Sequence, residues 1–135
     1  MAKKKTFEDR VLIAHQGELD ADLLYRTMAD VVRKKNPELA ETFEKVAKSE
    51  MGHARVCQKY TGRTDLKPSP VKAIAVKTVY KYVSKKLAFQ LLVDGEYDAA
   101  RDYMKDAYDH SDIAAVMQDE IKHGNTFKDC QKKYA

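Results

Sequence analysis

Two Glu-x-x-His spacings stand far apart in the chain, Glu50 with His53 and Glu120 with His123, and two further glutamates, Glu18 and Glu96, precede them by comparable intervals. Residues three apart on a helix share a face, so each pair can turn one carboxylate oxygen and one imidazole nitrogen toward the same point. Mixed oxygen and imidazole ligation suits iron or manganese, whereas structural zinc takes four ligands and often thiolate. Aspartate outnumbers glutamate thirteen to eight, yet every acid in this set is glutamate.

The elements that must position these residues are helices. Hydrophobic residues make up 44% and charged residues 34%, with only 5 glycines and 3 prolines, which favours an all-α fold. Thr6 followed by Phe7-Glu8-Asp9 resembles an N-cap with acids in the first turn. The pattern predicts helices over about 7–35, 37–60, 86–108 and 111–134 within one domain covering 1–135. Asn36-Pro37 stops the first and starts the second. Pro68 and Pro70 keep the 61–85 crossover irregular before a short helix from Val71 to Val83, and Ser84 breaks it. Short, long, short connections describe a four-helix bundle of two helical hairpins joined by one crossover, the ferritin-like arrangement.

A seam of alternating three- and four-residue steps runs along each helix. It reads Val11, Ala14, Glu18, Ala21, Tyr25, Met28, Val32 on the first and Leu39, Phe43, Val46, Glu50, His53, Cys57, Tyr60 on the second. The third reads Phe89, Leu92, Glu96, Ala99, Tyr103, Asp106 and the fourth Ile113, Val116, Glu120, His123, Phe127, Cys130, Tyr134. Apart from Asp106 at the end of the third, all are apolar except near the middle, where the six polar residues converge. A buried ionised carboxylate costs several kcal/mol unless compensated, and no Lys or Arg lies on a seam to pair with it. Two divalent cations supply the charge that balances four carboxylates and leaves the imidazoles neutral. The halves also repeat: Glu18, Ala21 and Tyr25 recur as Glu96, Ala99 and Tyr103, and Val46, Glu50 and His53 as Val116, Glu120 and His123.

Other classes fit less well. A net charge of +4 is mild. The lysines crowd at 3–5, 72–86 and 132–133, which reads as solvated surface; Tyr80 and Tyr82 within the middle group keep a nucleic-acid interface as the lesser alternative. No stretch reaches membrane-span length and no secretory signal opens the chain, so the expectation is a cytoplasmic protein. Two cysteines are too few for a disulfide framework or a four-thiolate iron site.

The stretch Leu39-Ala40-Glu41-Thr42-Phe43, then Val46-Ala47 and Glu50-Met51-Gly52-His53-Ala54, resembles the second bundle helix of the rubrerythrin branch of the ferritin-like superfamily. Gly95-Glu96 with Tyr103, and Asp119-Glu120-Ile121-Lys122-His123, resemble its third and fourth. The resemblance implies a di-iron centre, with manganese less favoured, held by Glu18, Glu50, His53, Glu96, Glu120 and His123. It reacts with peroxide or oxygen as a peroxidase or ferroxidase, and by analogy the protein is a homodimer, with hairpin exchange an option. Two departures stand out. Typical rubrerythrins carry a further glutamate one turn after the third-helix ligand, where this chain has Ala99. They also carry a rubredoxin module with paired Cys-x-x-Cys motifs, and this sequence has none. Electrons are then expected from a separate, rubredoxin-like protein or a small reductant.

Several residues have two readings. Tyr25 and Tyr103 are either ordinary core aromatics or hydrogen-bond donors to ligand carboxylates. His15, one position off the seam, reads as partly exposed surface, with a role beside the ligands as the alternative. Cys57 and Cys130 read as small buried hydrophobes, with redox chemistry as the lesser alternative. His110 is expected in a solvated turn, and Asp106 to face water, with a place on a metal entry route as its lesser alternative. Rival functions are an iron carrier without turnover, an interaction module using the lysine-rich crossover, and a metal-free structural bundle.

Overall fold

The computed structural model describes residues 4–135; Met1, Ala2 and Lys3, which begin the basic start and the stretch searched for a signal peptide, lie outside them. Among the described residues the secondary structure is entirely helical. The first helix, α1 (Phe7–Val32), opens on a capping box: Thr6 Oγ1 accepts from the Asp9 amide and Asp9 accepts from the Thr6 amide. It closes three residues before the expected end. The residue preceding a proline disfavours α geometry; Arg33 caps the helix, and the Asn36 amide still donates to Val32 O at 2.8 Å before Pro37 opens the next one.

The second helix, α2 (Pro37–Thr61), places Pro37 in its first turn, where a missing N–H costs nothing. Gly62, at φ 63°, terminates it and donates back to Gln58 O. The crossover contains α3 (Val71–Tyr82), and α4 (Lys85–Ala107) begins on Ser84, whose Oγ accepts from the Leu87 amide. The last helix is α5 (Ser111–Tyr134).

The helices form a ferritin-like bundle with a long crossover. The α1 and α2 helices pack along each other, as do α4 and α5; α2 meets α5 between the hairpins, and α3 lies against α1 and α4. Helix α1 does not pack along α4. The space between them is a groove of about 870 Å³, into which Ile13, Gly17, Ala21, Leu91, Gly95 and Ala99 face.

Two apolar layers fill the interior. One holds Tyr25, Met28, Phe43, Phe89 and Phe127, with Tyr80 of α3 at its edge. The other holds Val11, Cys57, Tyr103, Ile113 and Val116. The polar seam residues lie between these layers. Two expectations change here. Asp106 does not face water: it is bound by Arg10 of α1 at 2.6 Å and its side chain is only 13% exposed. His110 is half-buried, stacked on Phe7 with ring centroids 4.3 Å apart.

Candidate metal centre

Each helix of the two hairpins brings its mid-seam polar residues to one level, and all six are buried, Glu50 and Glu120 to 1% exposure. Their donor atoms form two groups. Glu18, Glu50, His53 and Glu120 make one, and Glu50, Glu96, Glu120 and His123 the other, with the atoms of each within 4.8 Å of one another. Glu50 and Glu120 belong to both. Each group therefore has its own histidine and its own single-helix glutamate, and the two share the glutamates of the Glu-x-x-His pairs.

The unsatisfied atoms are the most informative. Among the described residues, the buried side-chain oxygens and nitrogens without a hydrogen-bond partner are Glu18 Oε2, Glu50 Oε1, His53 Nδ1, Glu96 Oε2, Glu120 Oε1 and His123 Nδ1. That is one atom from each of the six residues and none from elsewhere. Glu120 Oε1 lies 2.8 Å from His53 Nδ1, and Glu50 Oε1 3.1 Å from both His53 Nδ1 and His123 Nδ1, so the six atoms converge on a common space. Buried polar atoms are ordinarily satisfied. A cluster of six orphans with oxygen and imidazole donors fits a pair of hard-to-borderline cations.

The tyrosines account for the remaining oxygens of two glutamates. Tyr25 of α1 donates to Glu96 Oε1 of α4 at 2.6 Å, and Tyr103 of α4 donates to Glu18 Oε1 of α1 at 2.9 Å. These reciprocal bonds brace the two helices across the groove and aim the other oxygen of each carboxylate inward. Burial, followed by the neighbouring carboxylates, holds both phenols well above their ordinary range.

Without cations the cluster must retain protons. Burial and the charge of Glu50 raise Glu18 to about 7, and burial raises Glu120 further. Burial alone would lower the histidines, but the surrounding carboxylates raise His53 strongly and His123 to about 9. Glu50, between both imidazoles, overcomes its burial and falls to about 2.

His53 is gripped on its other side as well. Its Nε2 lies 3.0 Å from Asp119 Oδ2 of α5, one residue before Glu120. The sequence displayed Asp119 within the last motif but assigned it nothing, because its reach across the α2–α5 boundary depends on packing. His15 is buried, contrary to the partly exposed reading, and its Nδ1 lies 2.9 Å from Thr61 Oγ1, away from the six. Cys57 is buried, with its thiol raised to about 11 by burial, and sits 3.5 Å from the Tyr103 hydroxyl; Cys130 is buried in the other layer.

The groove between α1 and α4 reaches this layer, with Glu18, Glu50, Glu96 and Glu120 among its lining residues. Comparison with protein families matches the chain to one described as Rubrerythrin, over residues 9–131. The chain belongs to the rubrerythrin family. Comparison with curated proteins and with solved structures gives no match. Within this rubrerythrin-family chain, the half-buried Ala99 lines the groove one turn after Glu96 and offers no ligand atom there.

Proposed function

We propose that the chain is a di-iron carboxylate oxidoreductase that reduces hydrogen peroxide, or oxygen in its place, and so protects against oxidative stress. The observation that carries this reading is the convergence of six orphaned donor atoms, one from each residue of two four-residue groups. Glu18, Glu50, His53 and Glu120 would hold one ion, and Glu50, Glu96, Glu120 and His123 the other. Iron is favoured over manganese by the family assignment together with the mixed oxygen and imidazole donors.

An iron pair held in this position would supply two electrons, the number needed, with two protons, to take one peroxide to two waters. The chain's own contribution is positional. Tyr25 and Tyr103 fix Glu96 and Glu18, the two apolar layers lower the local dielectric, and the groove admits a small oxidant and the two protons its reduction consumes. Re-reduction requires an external donor, a separate rubredoxin-like protein or a small reductant. A cytoplasmic location and a homodimer complete the proposal; among the described residues no helix is long and apolar enough to cross a membrane.

Glu50→Ala tests the reading, because Glu50 belongs to both groups. The variant is expected to lose both ions by elemental analysis, and peroxide turnover with them, while circular dichroism stays helical. Full iron loading and turnover in the variant would remove the assignment. Turnover also separates enzyme from carrier: with reductant supplied, an enzyme consumes many equivalents of peroxide per chain and a carrier about one.

A further inference from the structure

The two halves of the chain repeat, but the support behind their histidines does not. Ser49 stands immediately before Glu50 as Asp119 stands immediately before Glu120. Asp119 reaches across from α5 and accepts from His53 Nε2 at 3.0 Å. If the halves were equivalent, the residue at 49 would reach from α2 to His123. Instead Ser49 Oγ lies 3.4 Å from His53 Nε2 on its own helix. Both residues thus attend to His53. Among the described residues nothing hydrogen-bonds His123 Nε2.

This asymmetry has a chemical consequence. An acceptor at Nε2 fixes the proton there, leaves Nδ1 as the free lone pair, and holds the ring plane. The His53 Nδ1 so prepared faces Glu18, Glu50 and Glu120 at 2.8–3.4 Å. An anionic acceptor also makes the imidazole a stronger electron-pair donor. His123 presents its Nδ1 to Glu50 at 3.1 Å and to Glu96 and Glu120 at 3.6 Å, without a partner to lock the ring.

From these contacts we infer that the two ion positions are inequivalent, with Asp119 as a positioning residue that makes the His53 position the tight one and leaves the His123 position labile. The inference rests on the metal-centre reading above. It gives the protein a half-loaded state in which the ion beside His53 is retained while the ion beside His123 exchanges with the surroundings. Asp119, with its side chain 43% exposed, carries this role from the protein surface, outside the six-residue cluster.

Co(II), spectroscopically visible and slow to oxidise, is the probe. Calorimetric titration of the metal-free full chain is expected to resolve two steps per chain. The first equivalent should also produce a hyperfine-shifted N–H proton resonance from the His53 ring, protected from solvent exchange by Asp119. Asp119→Ala is expected to weaken the tighter step by about 10- to 100-fold, to change the weaker step less than about threefold, and to abolish that resonance. Asp119→Asn, which keeps an acceptor oxygen but loses the charge, should recover the resonance and part of the affinity. Two steps unchanged by Asp119→Ala, or both weakened equally, would overturn the inference while leaving the metal centre standing. Failure of the unaltered chain to bind Co(II) at all would overturn the metal-centre reading and this inference with it.

Discussion

Glu96 and Glu18 each have one oxygen held by a tyrosine from the facing helix and one oxygen left unpaired in the interior. Removing a phenol therefore strands a second buried oxygen on the same carboxylate. Tyr25→Phe is expected to lower the stability of the metal-free protein by about 1–3 kcal/mol, read as a shift in the urea midpoint. An unchanged midpoint would mean that Glu96 finds another donor. The shifted groups also set a pH dependence. Glu18 and Glu120 titrate above an unfolded carboxylate, and His53 and His123 above an unfolded imidazole. Groups raised on folding stabilise at low pH and lose that contribution as pH climbs through their folded values. Glu50 has the opposite sign, but its window lies below its ordinary range, between about 2 and 4.5. The metal-free protein should then melt at a lower temperature at pH 9 than at pH 6, and calorimetry at the two pH values checks this.

At the scale of helices, the period-3.6 pattern exposes what faces inward, so the four bundle helices, the crossover helix and the six polar seam positions are legible in the sequence. Three things were not. The end of α1 at Val32 depends on where the chain leaves the helix ahead of Pro37, which propensity does not resolve. The burial of His15 and Asp22 arises because α1 buries a stripe wider than a two-step seam. The groove and the Asp119–His53 bond depend on distances between helices, which no single helix encodes. Close packing within a hairpin is likewise a tertiary fact. A Cβ on Gly124 would run into the Tyr97 ring, so α5 passes α4 at a place where any larger residue must push that ring aside. Gly124→Ala is expected to displace Tyr97 and destabilise the fold by about 1–3 kcal/mol, measured by denaturant unfolding. A neutral or stabilising result would show that the half-buried ring swings aside freely.

At the scale of the whole molecule, α1 and α4 also carry exposed apolar residues, Ile13 at 55%, Leu91 at 43% and Met104 at 61%. In the proposed homodimer they are the residues that would be covered. Leu91→Glu should shift sedimentation at micromolar concentration toward monomer, and a wild-type chain that sediments as monomer would remove the dimer. The larger energetic fact is the layer of convergent acids through the centre. A domain of this size is stable by only about 5–15 kcal/mol, so ions that bound the folded chain alone would dominate its stability. Anaerobic equilibrium dialysis against Fe(II), followed by a melt of the dialysed sample, tests this most directly. Two ions per chain at saturation are expected, with melting raised by about 10 °C or more. A chain that takes up no iron and melts at the same temperature with and without it would contradict the account at its centre.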